Sequence, residues 1–160
     1  MGVGQALSGS GPRQILMLVF KCFKFRFRPD LNQLAKLGKW ENSLRFLWNI
    51  GNEQRFAGLA KCRKDKKYPS LVSQQKELTD LRSELAWLND VPRHACARVL
   101  SDLENAWQRW FSKSSGRPKF KKKLSTISIT ETDPKAWQVR GKFIKFSKLG
   151  LIRTIFHRPI

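Results

Sequence analysis

The residues best equipped for chemistry in this 160-residue chain are cationic and aromatic rather than acidic or nucleophilic. Gly116-Arg117-Pro118-Lys119-Phe120-Lys121-Lys122-Lys123 places five cations in eight positions with no acid among them. It directly follows Trp107-Gln108-Arg109-Trp110-Phe111. Such a run cannot be buried without a severe desolvation cost, so it faces water or a polyanion. Gly116 and Pro118 stop the preceding helix, and Phe120 is an apolar peg that either anchors the loop or stacks on a base. Taken alone, the run is equally well explained as a solvated basic loop. The whole-chain balance points to nucleic acid: 32 Lys and Arg against 12 Asp and Glu give a formal charge of +20 and a pI near 10.6. Eleven Phe and six Trp supply enough apolar surface for a core.

Catalytic patterns are missing. There is no His/Cys/Asp cluster, Gly-rich phosphate loop or paired carboxylate, so no enzymatic role and no cofactor is expected. Cys22, Cys62 and Cys96 are odd in number and far apart, with no Cys-x-x-Cys pair. That argues against a disulfide framework or zinc knuckle and for a reduced, cytoplasmic chain. No apolar run approaches the roughly 18 residues of a membrane span, and 15–20 is too short for a signal-peptide core. The basic charge is spread over loops and strands instead of one amphipathic helix, so a membrane surface is not the expected partner.

The elements that position these residues follow from periodicity. Met1 to Gln14 is Gly/Ser-rich and reads as a disordered extension, with Met17 a candidate initiator. From Leu18 to Arg28, Phe23, Phe25 and Phe27 alternate with Lys24, Arg26 and Arg28, the two-residue period of a strand with one basic face. Asp30 and Gln33 form a capping-box pair after Pro29. Leu34, Leu37, Leu44, Leu47, Trp48 and Gly51 then continue a helix to about Leu59, with Trp48 read as core. Lys61 to Lys67 is a cationic linker. A second helix is expected from about Ser70 to Leu88 and a third from Pro92, in its first turn, to Phe111. The apolar face of the third is Cys96, Val99, Leu100, Leu103, Trp107, Trp110 and Phe111, with His94 just inside its start. The period then switches: Ser125–Thr130, Trp137–Val139, Lys142–Phe146 and Leu151–Phe156 read as strands, with turns at Arg140-Gly141 and Lys148-Leu149-Gly150. The fold class is α+β, and one economical packing joins the first strand to the later ones in a single sheet or barrel, the helices being an insertion.

Phe23 to Pro29, Phe46-Leu47-Trp48-Asn49, Glu77-Leu78-Thr79, Trp87-Leu88, Leu103 to Trp107 with Trp110-Phe111, Gly116 to Lys123, and Lys148-Leu149-Gly150 leading to His157-Arg158-Pro159-Ile160 recur in an order that resembles a known family. Over roughly residues 19 to 160 the chain is similar to the N-terminal half of the OrfB/TnpB insertion-sequence transposases, RNA-guided DNA endonucleases related to type V CRISPR effectors. The resemblance implies a small wedge-type β-barrel over 18–29 and 117–160, interrupted by a three-helix recognition insertion of helix-turn-helix type over 30–116, with 1–17 an extension. It implies a guide-type RNA and double-stranded DNA as partners. Lys24, Arg26 and Arg28 would hold the RNA scaffold, Gln75, Arg93, His94 and Thr130 would read a short DNA motif, and Arg117, Lys119, Lys121, Lys122 and Lys123 would hold phosphates. Ala97, where relatives often carry Gln, and Leu151, where they carry Trp, depart from the pattern. The family's RuvC-type carboxylates and zinc ribbon have no counterpart in the sequence, so it is read as a binding part without the nuclease. The alternative is a basic ribosome-associated or architectural RNA-binding protein.

Overall fold

The computed structural model describes residues 22–61, 68–123 and 125–158. The expected N-terminal extension, the start of the first strand and the cationic linker beyond Lys61 lie outside them. Four helices and one sheet follow in chain order. Strand β1 (Arg26–Arg28) leads into helix α1 (Leu31–Lys61), whose capping box forms as expected. Asp30 Oδ1 accepts from the Gln33 N–H at 2.7 Å, and Gln33 Oε1 accepts from the Asp30 N–H at 3.1 Å. The Gln33 Nε2 also donates to the carbonyls of Leu149 (3.2 Å) and Leu151 (2.8 Å), so one side chain caps α1 and ties it to the sheet. Leu34, expected on the apolar stripe, is 56% exposed, because α1 with 31 residues outruns its packing partner α4 (Arg93–Phe111) with 19. The stripe that is buried runs Trp40, Leu44, Leu47 and Gly51.

The second expected helix is two. Helix α2 (Leu71–Glu84), capped by Ser70, ends at Leu85, whose backbone turns extended (φ −106°, ψ 94°), and α3 (Ala86–Asn89) follows. The break swings Leu88 into the core. It also exposes carbonyls that Arg82 satisfies: Nη1 donates to Leu88 and Val91, both at 3.0 Å, and Nη2 to Asn89 at 3.2 Å. The three-helix bundle is thus a four-helix unit. Pro92 is the N-cap of α4 rather than a residue of its first turn. The expected α4 face is buried at Cys96, Val99, Leu100, Leu103 and Trp107, but at the helix end Trp110 is half-buried and Phe111 is 47% exposed, because the last turn packs only against the aromatic group around Trp107. It crosses α1 closely enough that a Cβ on Gly51 would sit 3.0 Å from Leu103. Burial pushes the Cys96 thiol up despite the nearby Arg82 charge, which marks an inert packing residue.

Strands β2 (Trp137–Arg140), β3 (Phe143–Phe146) and β4 (Gly150–Ile155) form a meander, and β1 joins β4. The antiparallel order is β1-β4-β3-β2. The first strand therefore does join the C-terminal ones across the inserted helices. Gly141 (φ +58°) and Lys142 make the two-residue turn, one position later than expected. The closed barrel is instead an open sheet with β1 and β2 as its edges. The strand expected at Ser125–Thr130 is not formed. That stretch is irregular, and Ile127 packs against the helical core, so its backbone has no strand neighbour and cannot help close the sheet.

Candidate nucleic-acid interface

The basic loop is strapped to α1 through its backbone. Trp48 Nε1 donates to the Lys119 carbonyl at 3.0 Å. Asn49 Nδ2 donates to the Lys121 carbonyl at 3.0 Å while its Oδ1 accepts the Lys121 N–H at 2.8 Å, an imitation of strand pairing by one amide side chain. Asn52, fully buried, donates to the Pro118 carbonyl at 3.4 Å and accepts the Trp107 indole N–H at 2.9 Å. Phe120 packs on Phe56 with centroids 5.6 Å apart and stays half exposed, so the peg chiefly anchors the loop.

With the backbone held inward, the charges face outward. Arg117 lies over Phe56 and Lys121 over Trp48, each 4.5 Å from the ring centroid, an interaction that holds a cation without neutralising it. Lys119, Lys122 and Lys123 are exposed, and among the described residues none of the five cations has an ion-pair partner. Trp48, expected as core, is half-buried and works as clamp and cation platform. Sequence reasoning missed Asn49 and Asn52. The available signal was two amides, three apart, flanked by Trp48 and Phe56 on one helix face.

Beneath the loop, fully buried Arg55 sets the helices relative to one another. Its Nε donates to Gln74 Oε1 at 2.9 Å, and its Nη2 stands 2.6 Å from Glu104 Oε2. That approach is an ion pair. Burial pushes the Glu104 carboxyl up, but the hydrogen bond from Gln108 and the close Arg55 guanidinium outweigh it and hold the group below its ordinary range.

The remaining expected site residues fall in two other places. Arg26 and Arg28 are exposed on edge strand β1, while Lys24 is exposed in the irregular segment before it: the strand expected from Leu18 begins only at Arg26, where pairing with β4 starts. No hydrogen bond, ion pair or ring contact among the described residues joins the three to the 117–123 loop. Arg93 and His94 are exposed in the first turn of α4. His94 Nδ1 lies 2.7 Å from Glu131 Oε1, and Thr130 and Glu131 line the same cleft as Pro92. A carboxylate at that distance disfavours a phosphate and leaves a base edge as the contact His94 could make. Gln75 is half-buried on α2, and no hydrogen bond or ion pair among the described residues joins it to Arg93, His94 or Thr130; it is the neighbouring Gln74 that enters the Arg55 network. Among the described residues no group of three or more His, Cys, Asp or Glu could hold a metal ion, and no helix is long and apolar enough to cross a membrane.

No family model matches the chain. It is similar to the "Putative RNA-guided DNA endonuclease InsQ" of Escherichia coli (strain K12), 31% identical over 137 residues, which are 83% of this chain and 33% of that protein. It is also similar to a "Putative RNA-guided DNA endonuclease" of Streptomyces pristinaespiralis, 25% identical over 136 residues, 84% of this chain and 33% of that one. The chain thus spans about a third of the length of the curated relatives it matches.

Proposed function

We propose, on the premise that this chain belongs to the OrfB/TnpB family, that it is a nucleic-acid-holding region of an RNA-guided endonuclease architecture. The observation that carries this reading is the strapped loop. Three α1 side chains hold its backbone so that Lys119, Lys122 and Lys123 project without acidic partners. A loop needed only for solubility requires no such clamp. Arg117 and Lys121, resting on aromatic rings, complete a phosphate track. Lys24, Arg26 and Arg28 would serve a guide-type RNA. Arg93, His94 and Thr130, with Gln75, would serve double-stranded DNA, with Arg93 the base-reading cation of the set.

The reading assigns no bond-breaking step to this chain. The sequence supports that, because the acids lie mostly among Lys and Arg on helices and no apolar strand carries a central Asp. Binding of RNA and duplex DNA should fall steeply between 50 and 200 mM salt, by about 10³-fold or more if six or more phosphates are met. Changing Lys119, Lys122 and Lys123 together to Gln should lower the salt slope by roughly 2 to 3. Affinity indifferent to salt would sink the proposal, and Mg²⁺-dependent cleavage by the purified chain would sink its non-catalytic part. Arg93→Ala should cost about 1 to 3 kcal/mol on one preferred DNA sequence only; equal loss on all sequences would make Arg93 a phosphate contact.

A further inference from the structure

The outer face of the sheet carries a pattern that the strapped loop does not explain. In register, Arg28 stands opposite Arg153, Arg153 opposite Phe143, and Phe143 opposite Arg140. These four therefore form one row across β1, β4, β3 and β2. Side chains alternate along strands, so the row points away from the face where Ile144, Ile152 and Thr154 are buried. All four residues are exposed, and Phe143 keeps 42% of its surface. Arg140 Nη2 donates to Gln138 Oε1 at 3.2 Å, which places Gln138 on the same face.

Two features of this row are unfavourable in a face meant only for water. Like charges directly opposite on adjacent strands repel, and Arg28 and Arg153 are such a pair. Among the described residues neither they nor Arg140 has an acidic partner. A large ring also stands open between two arginines in register on the neighbouring strands, whose backbones lie about 4.8 Å to either side. A polyanion offering a ring of its own relieves both.

We infer that this row binds an unpaired stretch of nucleic acid, one base stacking on Phe143 while Arg28, Arg153 and Arg140 take the flanking phosphates. Duplex is excluded as the occupant because its base faces are already stacked. A protein partner would have to cover three guanidinium groups that have no acid of their own, a heavy desolvation cost. The inference rests on the reading that the chain holds nucleic acid and extends from Arg28, already proposed for RNA, to Arg153, Phe143 and Arg140; it concerns a different surface and a different form of the ligand from the strapped loop.

The test is an anisotropy titration of the full chain with labelled, unstructured RNA and DNA oligonucleotides of about 16 nucleotides and with a duplex of equal length. Phe143→Ala should weaken single-strand binding roughly 5- to 150-fold, the range for losing one base–aromatic stack, and leave duplex binding unchanged. Phe143→Tyr should restore single-strand affinity, and unaltered melting curves establish that both variants fold. A larger loss on the RNA than on the DNA oligonucleotide identifies RNA as the occupant, and the reverse identifies DNA. No loss on single strands, equal loss on duplex, or a change of oligomeric state without a change in binding overturns the inference. If the unmodified chain binds with the expected salt dependence and Phe143→Ala has no effect, the sheet-face site alone has failed. If the unmodified chain binds nothing, the holding function has failed with it.

Discussion

The helical unit and the sheet solve opposite problems with similar residues. In the helices, large side chains turn inward: Trp107, Leu44, Leu88, Leu100 and Leu103 are fully buried, and even Arg55 is enclosed with Glu104 and Gln74. In the sheet only Ile144, Ile152 and Thr154 are buried, while Phe143, Leu151 and Ile155 stand open beside Arg and Lys. A helix bundle surrounds its apolar stripes, whereas an open sheet packs one face and leaves the other to whatever binds it. The helices therefore set shape and keep their exposed charge, such as Arg93, apart from exposed rings, with the densest run on the loop strapped to α1. The sheet mixes charge and aromatic surface directly.

That contrast predicts a graded response to substitution. Trp107→Ala should be the most damaging, about 3 to 5 kcal/mol in denaturant unfolding, because it empties the site shared with Phe56, Tyr68, Trp110 and Phe111 and leaves Asn52 short of a donor. A loss below about 1 kcal/mol, the scale expected of an exposed residue, would contradict the picture of a rigid helical body.

Next comes Glu104→Gln, which leaves buried Arg55 without its counter-charge. The folded-state carboxyl is held below its unfolded value, so its contribution is present above the unfolded pKa of about 4.3 and is lost as pH falls through the folded value. The unmodified protein should lose melting temperature in that acid window. Glu104→Gln should be less stable at neutral pH and show a shallower acid fall. An acid fall unchanged in the variant would assign it to other carboxylates.

Smaller again is Asn49→Ala, about 1 to 2 kcal/mol for two hydrogen bonds. Its clearest readout is local: trypsin should cut at Lys119 to Lys123 sooner while the melt of the helices barely moves. The smallest effect, about 1 kcal/mol, belongs to Gly141→Ala. A Cβ there meets nothing within 4 Å, so only the left-handed backbone (φ +58°) is penalised. A larger loss would mean that the hairpin carries more of the fold than its exposure implies.

Much of this protein followed from local pattern. The Asp30–Gln33 capping box, the apolar face of α4 from Cys96 to Trp107, the β2–β3 hairpin and β4 were all set by short-range preferences, and the structure keeps them. The excess of 20 positive charges, which no arrangement of the described residues can hide, was equally a property of the chain. The break at Leu85 was not. Its leucines keep helical spacing on both sides, and only the chance to bury Leu88 and to satisfy three carbonyls with Arg82 makes the extended residue favourable. Ser125–Thr130 has the composition of a strand, but a strand needs a neighbour, and Ile127 found the helical core instead.

Tertiary structure also decided what the basic residues do. That the five cations between Arg117 and Lys123 stay out of the core was legible from composition, because desolvating them costs too much. Composition could not fix that Asn49 and Asn52, some 70 residues earlier, would hold that loop's backbone. Nor could it fix that Arg28, Arg153, Phe143 and Arg140 would meet in one row. Charge and periodicity act over a few residues, whereas a hydrogen-bonded strap and a cross-strand row exist only once distant segments have been brought together by packing.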